Sequence, residues 1–191
     1  LQQRLLDFCL ELGLKGTILL AHEGTNQMLS GTRAQIHAYQ DYLYQDSRFK
    51  DLTFKESLTS ILSFKRMRVK IKREIITMGM PDLRASDIPP KRVQPMLLKQ
   101  WLDEKRPLTL LDTRNRVEVE AGTFVNAAHL SIDQFSQFPQ ASQQLDEALK
   151  QQPLIIFCTG GVRCEKAAVW LERQGFTDVY QLDGGILNYF E

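Results

Sequence analysis

Cys158-Thr159-Gly160-Gly161-Val162-Arg163 is the stretch whose residue types and spacing most plainly suggest chemistry. The apolar run Leu154-Ile155-Ile156-Phe157 leads straight into it and predicts a buried parallel strand. Ala167, Ala168 and Leu171, flanked by Val169 and Trp170, predict a helix that stops at Gly175. A cysteine between such a strand end and helix start sits where backbone N–H groups converge, which stabilises a thiolate or a bound anion. A free thiol has a pKa of ~8.5, and a helix N-terminus or a neighbouring cation lowers it. Here the helix supplies the dipole and Arg163 the cation. Gly160 and Gly161 let the backbone approach a ligand closely. The competing reading is an inert cysteine buried at a strand end.

The supporting residues leave several roles open. Arg163 could face a substrate anion, pair with a carboxylate such as Asp112 and hold the loop shut, or simply be solvated. Asp112, in the turn Asp112-Thr113-Arg114 at another strand end, suits a loop-fixing hydrogen-bond acceptor better than a base, and Arg114 is placed with it as loop support. Cys164 could resolve an oxidised sulfur on Cys158 as a disulfide. Packing support beneath the loop is the favoured role. Gly122 and Gly184-Gly185 are expected to be turn residues, and Cys9 a core residue of the first helix.

These residues need a parallel α/β scaffold. Met96–Lys105 predicts a helix, Leu108–Asp112 a short buried strand, Phe124–Leu130 a strand or turn, Leu145–Gln151 a helix, and Val179–Leu182 a strand beyond the cysteine loop and its helix. Strands alternating with helices imply a parallel sheet whose ligands lie outside the strand carboxyl ends, where both Asp112 and Cys158 fall. The first half predicts helix, strand, strand, helix, strand, strand. Its strands are Lys15–Ala21, Gln27–Ser30, Leu52–Ser57 and Phe64–Ile76, and Thr32 with Gln35 forms a capping box. An open ferredoxin-like α+β sandwich accommodates that order and asks for one more strand before Leu1. Gly79-Met80-Pro81 and Ile88-Pro89-Pro90 interrupt any regular element. The expected organisation is therefore an α+β domain over 1–78, a linker over 79–92 and an α/β domain over 93–191.

Composition sets bounds. At 191 residues and 43% hydrophobic content the chain suits one large domain or two small ones. No apolar run approaches the ~18–20 residues of a membrane span, and no signal-peptide pattern opens the chain. An odd cysteine count of 3 argues against a disulfide scaffold and for a reducing, cytoplasmic setting. His22, His37 and His129 lie far apart, and there is no Cys-x2-Cys pair, so no metal site is expected. No nucleotide-binding glycine motif follows a strand, so no cofactor is evident. No feature demands a protein partner.

Charge is uneven. Residues 1–78 carry 12 Lys/Arg against 8 Asp/Glu, a net +4, whereas the remainder carries 12 against 15, a net −3. Part of the excess lies in Phe64–Ile76, where Arg66, Arg68, Lys70 and Lys72 alternate with Met67, Val69 and Ile71. Period-two alternation puts the cations on one sheet face, about 6.6–6.8 Å apart. That stripe matches a phosphate backbone, or else it is a solvated face serving solubility.

Leu110-Leu111-Asp112-Thr113-Arg114, Gly122-Thr123-Phe124-Val125-Asn126-Ala127, Cys158–Arg163 and Leu182-Asp183-Gly184-Gly185-Ile186 together resemble a rhodanese domain over roughly 93–191. The resemblance implies that Cys158 is a nucleophile able to carry a persulfide sulfur. Related cysteine phosphatases close their loop as Cys-x5-Arg; the Cys-x4-Arg here is shorter and suits a sulfur atom better than a phosphate. Gly16–Asn26, the stretch from Phe64 to Ile76, and Cys158–Ala167 extend the likeness to nearly the whole chain. They resemble the oxygen-dependent tRNA uridine hydroxylase family, which joins a ferredoxin-like domain to a rhodanese domain. That resemblance implies tRNA as partner, molecular oxygen as co-substrate and hydroxylation of the wobble uridine to 5-hydroxyuridine, with Cys158 essential. It also implies a core piece lacking a first strand and a cysteine-containing tail. A rhodanese sulfurtransferase acting on a thiol acceptor and a non-catalytic RNA-binding adaptor are the alternatives.

Overall fold

The computed structural model describes residues 1–89 and 91–191, and the chain divides into two units, Leu1–Ile75 and Ile76–Glu191.

In the first unit, helix α1 (Gln2–Glu11) buries Leu5 and Cys9, spaced to fall on one face. Strands β1 (Lys15–Ala21) and β2 (Gly24–Ser30) form an antiparallel hairpin. Helix α2 (Arg33–Tyr44) opens on the expected capping box, with Thr32 Oγ1 accepting the Gln35 N–H at 3.4 Å and Gln35 Oε1 accepting the Thr32 N–H at 2.7 Å. Strand β3 (Met67–Ile71) runs parallel to β1, giving the order β2-β1-β3. Ile18, Leu20 and Val69 on one sheet face, with Leu5, Cys9, Tyr39 and Leu43 from the helices, make its core.

Two expectations for this unit change. Leu52–Ser57 forms no strand: Leu52 and Phe54 pack against the core while Thr53 and Lys55 face out, yet no described strand offers the backbone a ladder. The basic strand spans Met67–Ile71 rather than Phe64–Ile76, because its pairing with β1 covers only Gly16 to Leu20.

In the second unit five parallel strands, β4 (Lys91–Val93), β5 (Thr109–Asp112), β6 (Ala128–His129), β7 (Leu154–Phe157) and β8 (Val179–Leu182), lie in the order β4-β8-β7-β5-β6. Residues 79–92 do not stand outside this unit. Leu83 is buried in its core and β4 is an edge of its sheet, because glycine and proline break regular elements without preventing packing; Pro90 lies outside the described residues. Helices α3 (Pro95–Asp103), α4 (Arg116–Glu120), α5 (Phe138–Ser142), α6 (Val162–Arg173) and α7 (Gly185–Tyr189) complete it. Residues 147–151 form a 3-10 turn where a helix was expected.

Central strand β7 is buried on both faces, which explains its uninterrupted apolar sequence. Leu154 and Ile156 join one core with Leu111, Ala167, Ala168 and Leu171, and Ile155 and Phe157 join the other with Leu98, Leu110 and Leu182. The chain leaves β5 outward to β6 and returns to β7 on the opposite side. The β5 and β7 carboxyl ends therefore flank a topological switch point, the position where such sheets bind ligands. No helix among the described residues is long and apolar enough to cross a membrane.

Candidate active site

Cys158 is the residue after β7, and the next turn folds back over it. Gly161, the N-cap of α6, has φ +94°, and its N–H donates to the Cys158 sulfur at 3.1 Å. The second strand-to-helix turn supports the first. Cys158 O accepts the Ile186 N–H at 2.8 Å, and Thr159 O accepts the Leu187 N–H at 3.2 Å. At Gly185 (φ +71°) a Cβ would lie 2.5 Å from both of those carbonyl oxygens. Only glycine allows that approach, so Gly185 is a structural partner of the loop as well as a turn residue.

The environment favours a thiolate. The Cys158 pKa falls to about 6, first because the Cys164 side chain hydrogen-bonds to it, then because of the Arg163 charge and the N–H groups of Arg163 and Cys164. Burial opposes the shift and loses. Cys164 responds in the opposite direction: complete burial, then its bond to Cys158, push its pKa well up and keep it a thiol.

Arg163 is committed within the protein. Nη1 and Nη2 donate to Glu118 Oε2 and Oε1, each at 2.7 Å, and Thr159 Oγ1 donates to Glu118 Oε1 at 2.6 Å. The carboxylate that holds the loop is thus Glu118 on α4, not Asp112. Asp112 is already taken by Arg114, through Nε at 2.9 Å and Nη2 at 2.7 Å, and by Thr123 Oγ1 at 2.7 Å. Arg114 Nη2 also donates to Gly122 O at 2.6 Å, so this buried pair ties the turn after β5 to residues 122–123. The hydrogen bonds of Arg163, and then of Thr159, hold the Glu118 carboxyl at about 2 against its burial.

Cys158, residues 159–163, Cys164 and Glu118 therefore form one cluster, with Asp112 and Arg114 bracing the adjoining turn. Glu118 escaped the sequence reading. The available signal was its place three residues after Asn115, whose N–H it accepts at 3.2 Å as a helix-start carboxylate. Among the described residues no group of His, Cys, Asp and Glu side chains could hold a metal ion.

The basic strand belongs to the other unit. Arg66, Lys70 and Lys72 are exposed and Arg68 is half-buried; Arg68 and Lys70 share the sheet face of Thr17 and Leu19. Arg66 and Lys72 flank β3 rather than lying in it. Val69 faces the core, but Ile71 is 67% exposed, so the apolar face ends one residue pair early.

Residues 1–75 match the family model of the UPF0176 acylphosphatase like domain, and residues 94–191 that of the rhodanese-like domain. The chain is 48% identical over 188 residues to the tRNA uridine(34) hydroxylase of Cupriavidus necator, a match covering 96% of this chain and 67% of that protein. It is 50% identical over 188 residues to the tRNA uridine(34) hydroxylase of Thiobacillus denitrificans, covering 96% of this chain and 76% of that one. Among solved structures, a rhodanese-like domain protein from Staphylococcus aureus is 28% identical, covers 52% of this chain and 90% of its own, and superposes with a TM-score of 0.45.

Proposed function

Because the chain belongs to the tRNA uridine(34) hydroxylase family, we propose that it hydroxylates the wobble uridine of tRNA to 5-hydroxyuridine with Cys158 as the reacting group. The observation that carries the role of Cys158 is its sulfur at the β7 carboxyl end, accepting the Gly161 N–H and holding a pKa of about 6. A sulfur ionised at neutral pH is a nucleophile. Its addition to C6 of the uridine ring forms a C–S bond and moves the C5–C6 π electrons toward C5, the carbon that takes the hydroxyl group. Loss of the C5 proton and of the thiolate then restores the double bond. Molecular oxygen serves as co-substrate, and its second oxygen atom leaves as water with two electrons from an external reductant.

The first unit contributes phosphate contacts. Arg68 and Lys70 on β3, with Arg66 and Lys72 just beyond its two ends, give a row of cations that suits a nucleic-acid backbone. A rhodanese sulfurtransferase remains the second reading, favoured by the backbone cradle around Cys158. One nucleoside measurement tests both assignments. The C158S variant should abolish 5-hydroxyuridine in tRNA, and undiminished modification would sink the role of Cys158. Neutralising the four cations should weaken tRNA binding and reduce its salt slope by about 3–4, while sulfur transfer to cyanide stays unchanged. Unaltered tRNA modification and binding in that variant would remove the stripe's role as the phosphate contact.

A further inference from the structure

The sheet of the first unit has two faces, and helices α1 and α2 cover one of them. Ile18, Leu20 and Val69 enter the core there, and Gln27, opposite Ile18 in register, accepts the Tyr39 hydroxyl of α2 at 2.6 Å. Side chains alternate along a strand, so Thr17 and Leu19 of β1 point to the other face. The register sets Met28 and Arg68 beside Thr17, and Asn26 and Lys70 beside Leu19. Two rows result, Met28-Thr17-Arg68 and Asn26-Leu19-Lys70, about 6.6–6.8 Å apart along the strands. Met28 is 65% exposed and Lys70 is exposed too, so solvent reaches this face.

The three strands contain no Asp or Glu. Both cations of the rows lie on β3, an edge of the order β2-β1-β3. Pairing with β1 carries on past the ends of β3, where Arg66 O accepts the Gly16 N–H at 3.1 Å and the Lys72 N–H donates to Leu20 O at 2.8 Å. Positive charge therefore follows one edge, while Leu19, Met28 and the Asn26 amide stand inward of it. From β3 to β2 is two strand spacings, about 9–10 Å, comparable to the reach from a phosphate to the far edge of its base. Phosphates on β3 thus lay bases over Leu19 and Met28, whose apolar side chains suit the flat face of any base, and bring a base edge to Asn26. A duplex hides those base faces in its own stack and could use only the cations. A second copy of the chain fits poorly, because this face offers no carboxylate to answer its own cations. We propose that the open β2-β1-β3 face binds an unpaired RNA strand, its phosphates along Arg68 and Lys70 and its bases against Leu19 and Met28. The proposal rests on the functional reading and deepens it, since the wobble nucleotide belongs to an unpaired loop.

The test titrates the full chain into a short fluorescein-labelled RNA of mixed sequence, as a single strand and annealed to its complement, with binding read by fluorescence anisotropy across a salt series. The single strand should bind about tenfold more tightly than the duplex. Leu19→Ser combined with Met28→Ser should weaken single-strand binding by about fivefold to tenfold and leave its salt slope unchanged. Arg68→Gln combined with Lys70→Gln should instead lower that slope by about 1.4. Met28→Ser alone, at an exposed position outside the core, should cost about twofold to threefold and serves if the double variant does not fold. Duplex binding as tight as single-strand binding overturns the proposal, as does unchanged affinity in the Leu19 and Met28 variants. So does a wild-type dimer in sedimentation that those variants dissociate, which assigns the face to a second copy. A failure of the functional reading would look different, with the wild type leaving tRNA without 5-hydroxyuridine while its preference for the single strand persisted.

Discussion

Asp112–Arg114 and Glu118–Arg163 are the same kind of object, a carboxylate held by two nitrogens of one guanidinium, and they stand on either side of the switch point. Their surroundings differ. The Asp112 and Arg114 side chains are 0% and 7% exposed, whereas those of Glu118 and Arg163 are 30% and 17% exposed. The first pair joins residues two apart in one turn, and its spare bonding capacity goes to Thr123 and Gly122 O. The second joins α4 to α6 and takes in the Thr159 hydroxyl of the cysteine loop. Burial makes the first a fixture of the fold, because a charge stranded there has no water to turn to. Partial exposure makes the second a clasp whose loss water can largely offset. Identical chemistry thus serves stability at one strand end and loop position at the next.

The sharpest way to break the comparison is Asp112→Ala. It leaves the Arg114 guanidinium buried and unpaired, and urea unfolding should show a loss of about 3–5 kcal/mol. Replacing both partners by apolar residues of similar volume should cost less than the single change, since no orphan charge remains. If Asp112→Ala costs under about 1 kcal/mol, this pair is no more structural than a surface bridge.

Glu118→Gln should behave in the opposite way. Stability should fall by about 1 kcal/mol or less, while tRNA hydroxylation should drop by about tenfold to a hundredfold, because Thr159 and Arg163 lose the group that positions them. Its acid dependence has a definite sign. The folded carboxyl titrates at about 2, below its ordinary 4.5, so the pair's contribution is fully present above 4.5 and disappears as pH falls through about 2. The stability gap between wild type and Glu118→Gln should therefore close over that window in acid unfolding experiments. An activity loss matched by an equally large stability loss would erase the distinction between clasp and fixture.

How much of this was legible beforehand follows the range of the interactions. The β7 strand, the glycine turn and α6 are contiguous, so apolar run, φ-permissive residues and helix periodicity all point to them locally. The Asp112-Thr113-Arg114 turn is local too, and its loop-supporting role could be read from its strand-end position. The partner of Arg163 could not, because Glu118 lies 45 residues away and meets it only after β5 and β7 have paired in register. The need for glycine at 185 is likewise a matter of two turns meeting, since the obstructing oxygens belong to Cys158 and Thr159. Leu52–Ser57 shows the converse: residues 52–55 alternate in burial as a strand's would, but a strand also needs a hydrogen-bonding neighbour, which alternation cannot supply.

The smallest effect separates the pairs most cleanly. Thr123→Val and Thr159→Val delete the same hydroxyl donor, one from Asp112 at 2.7 Å and the other from Glu118 at 2.6 Å, with little change in side-chain volume. At Thr123 the lost bond is to a fully buried carboxylate that water cannot reach, so unfolding experiments should show about 1–2 kcal/mol. At Thr159 the carboxylate is partly exposed and water replaces the hydroxyl, so the cost should stay below about 0.5 kcal/mol. The distances alone would rank them the other way, the Thr159 bond being the shorter. Equal costs would mean that bond length rather than desolvation sets the value of these contacts, and the division of labour between the two arginines would then have no energetic basis.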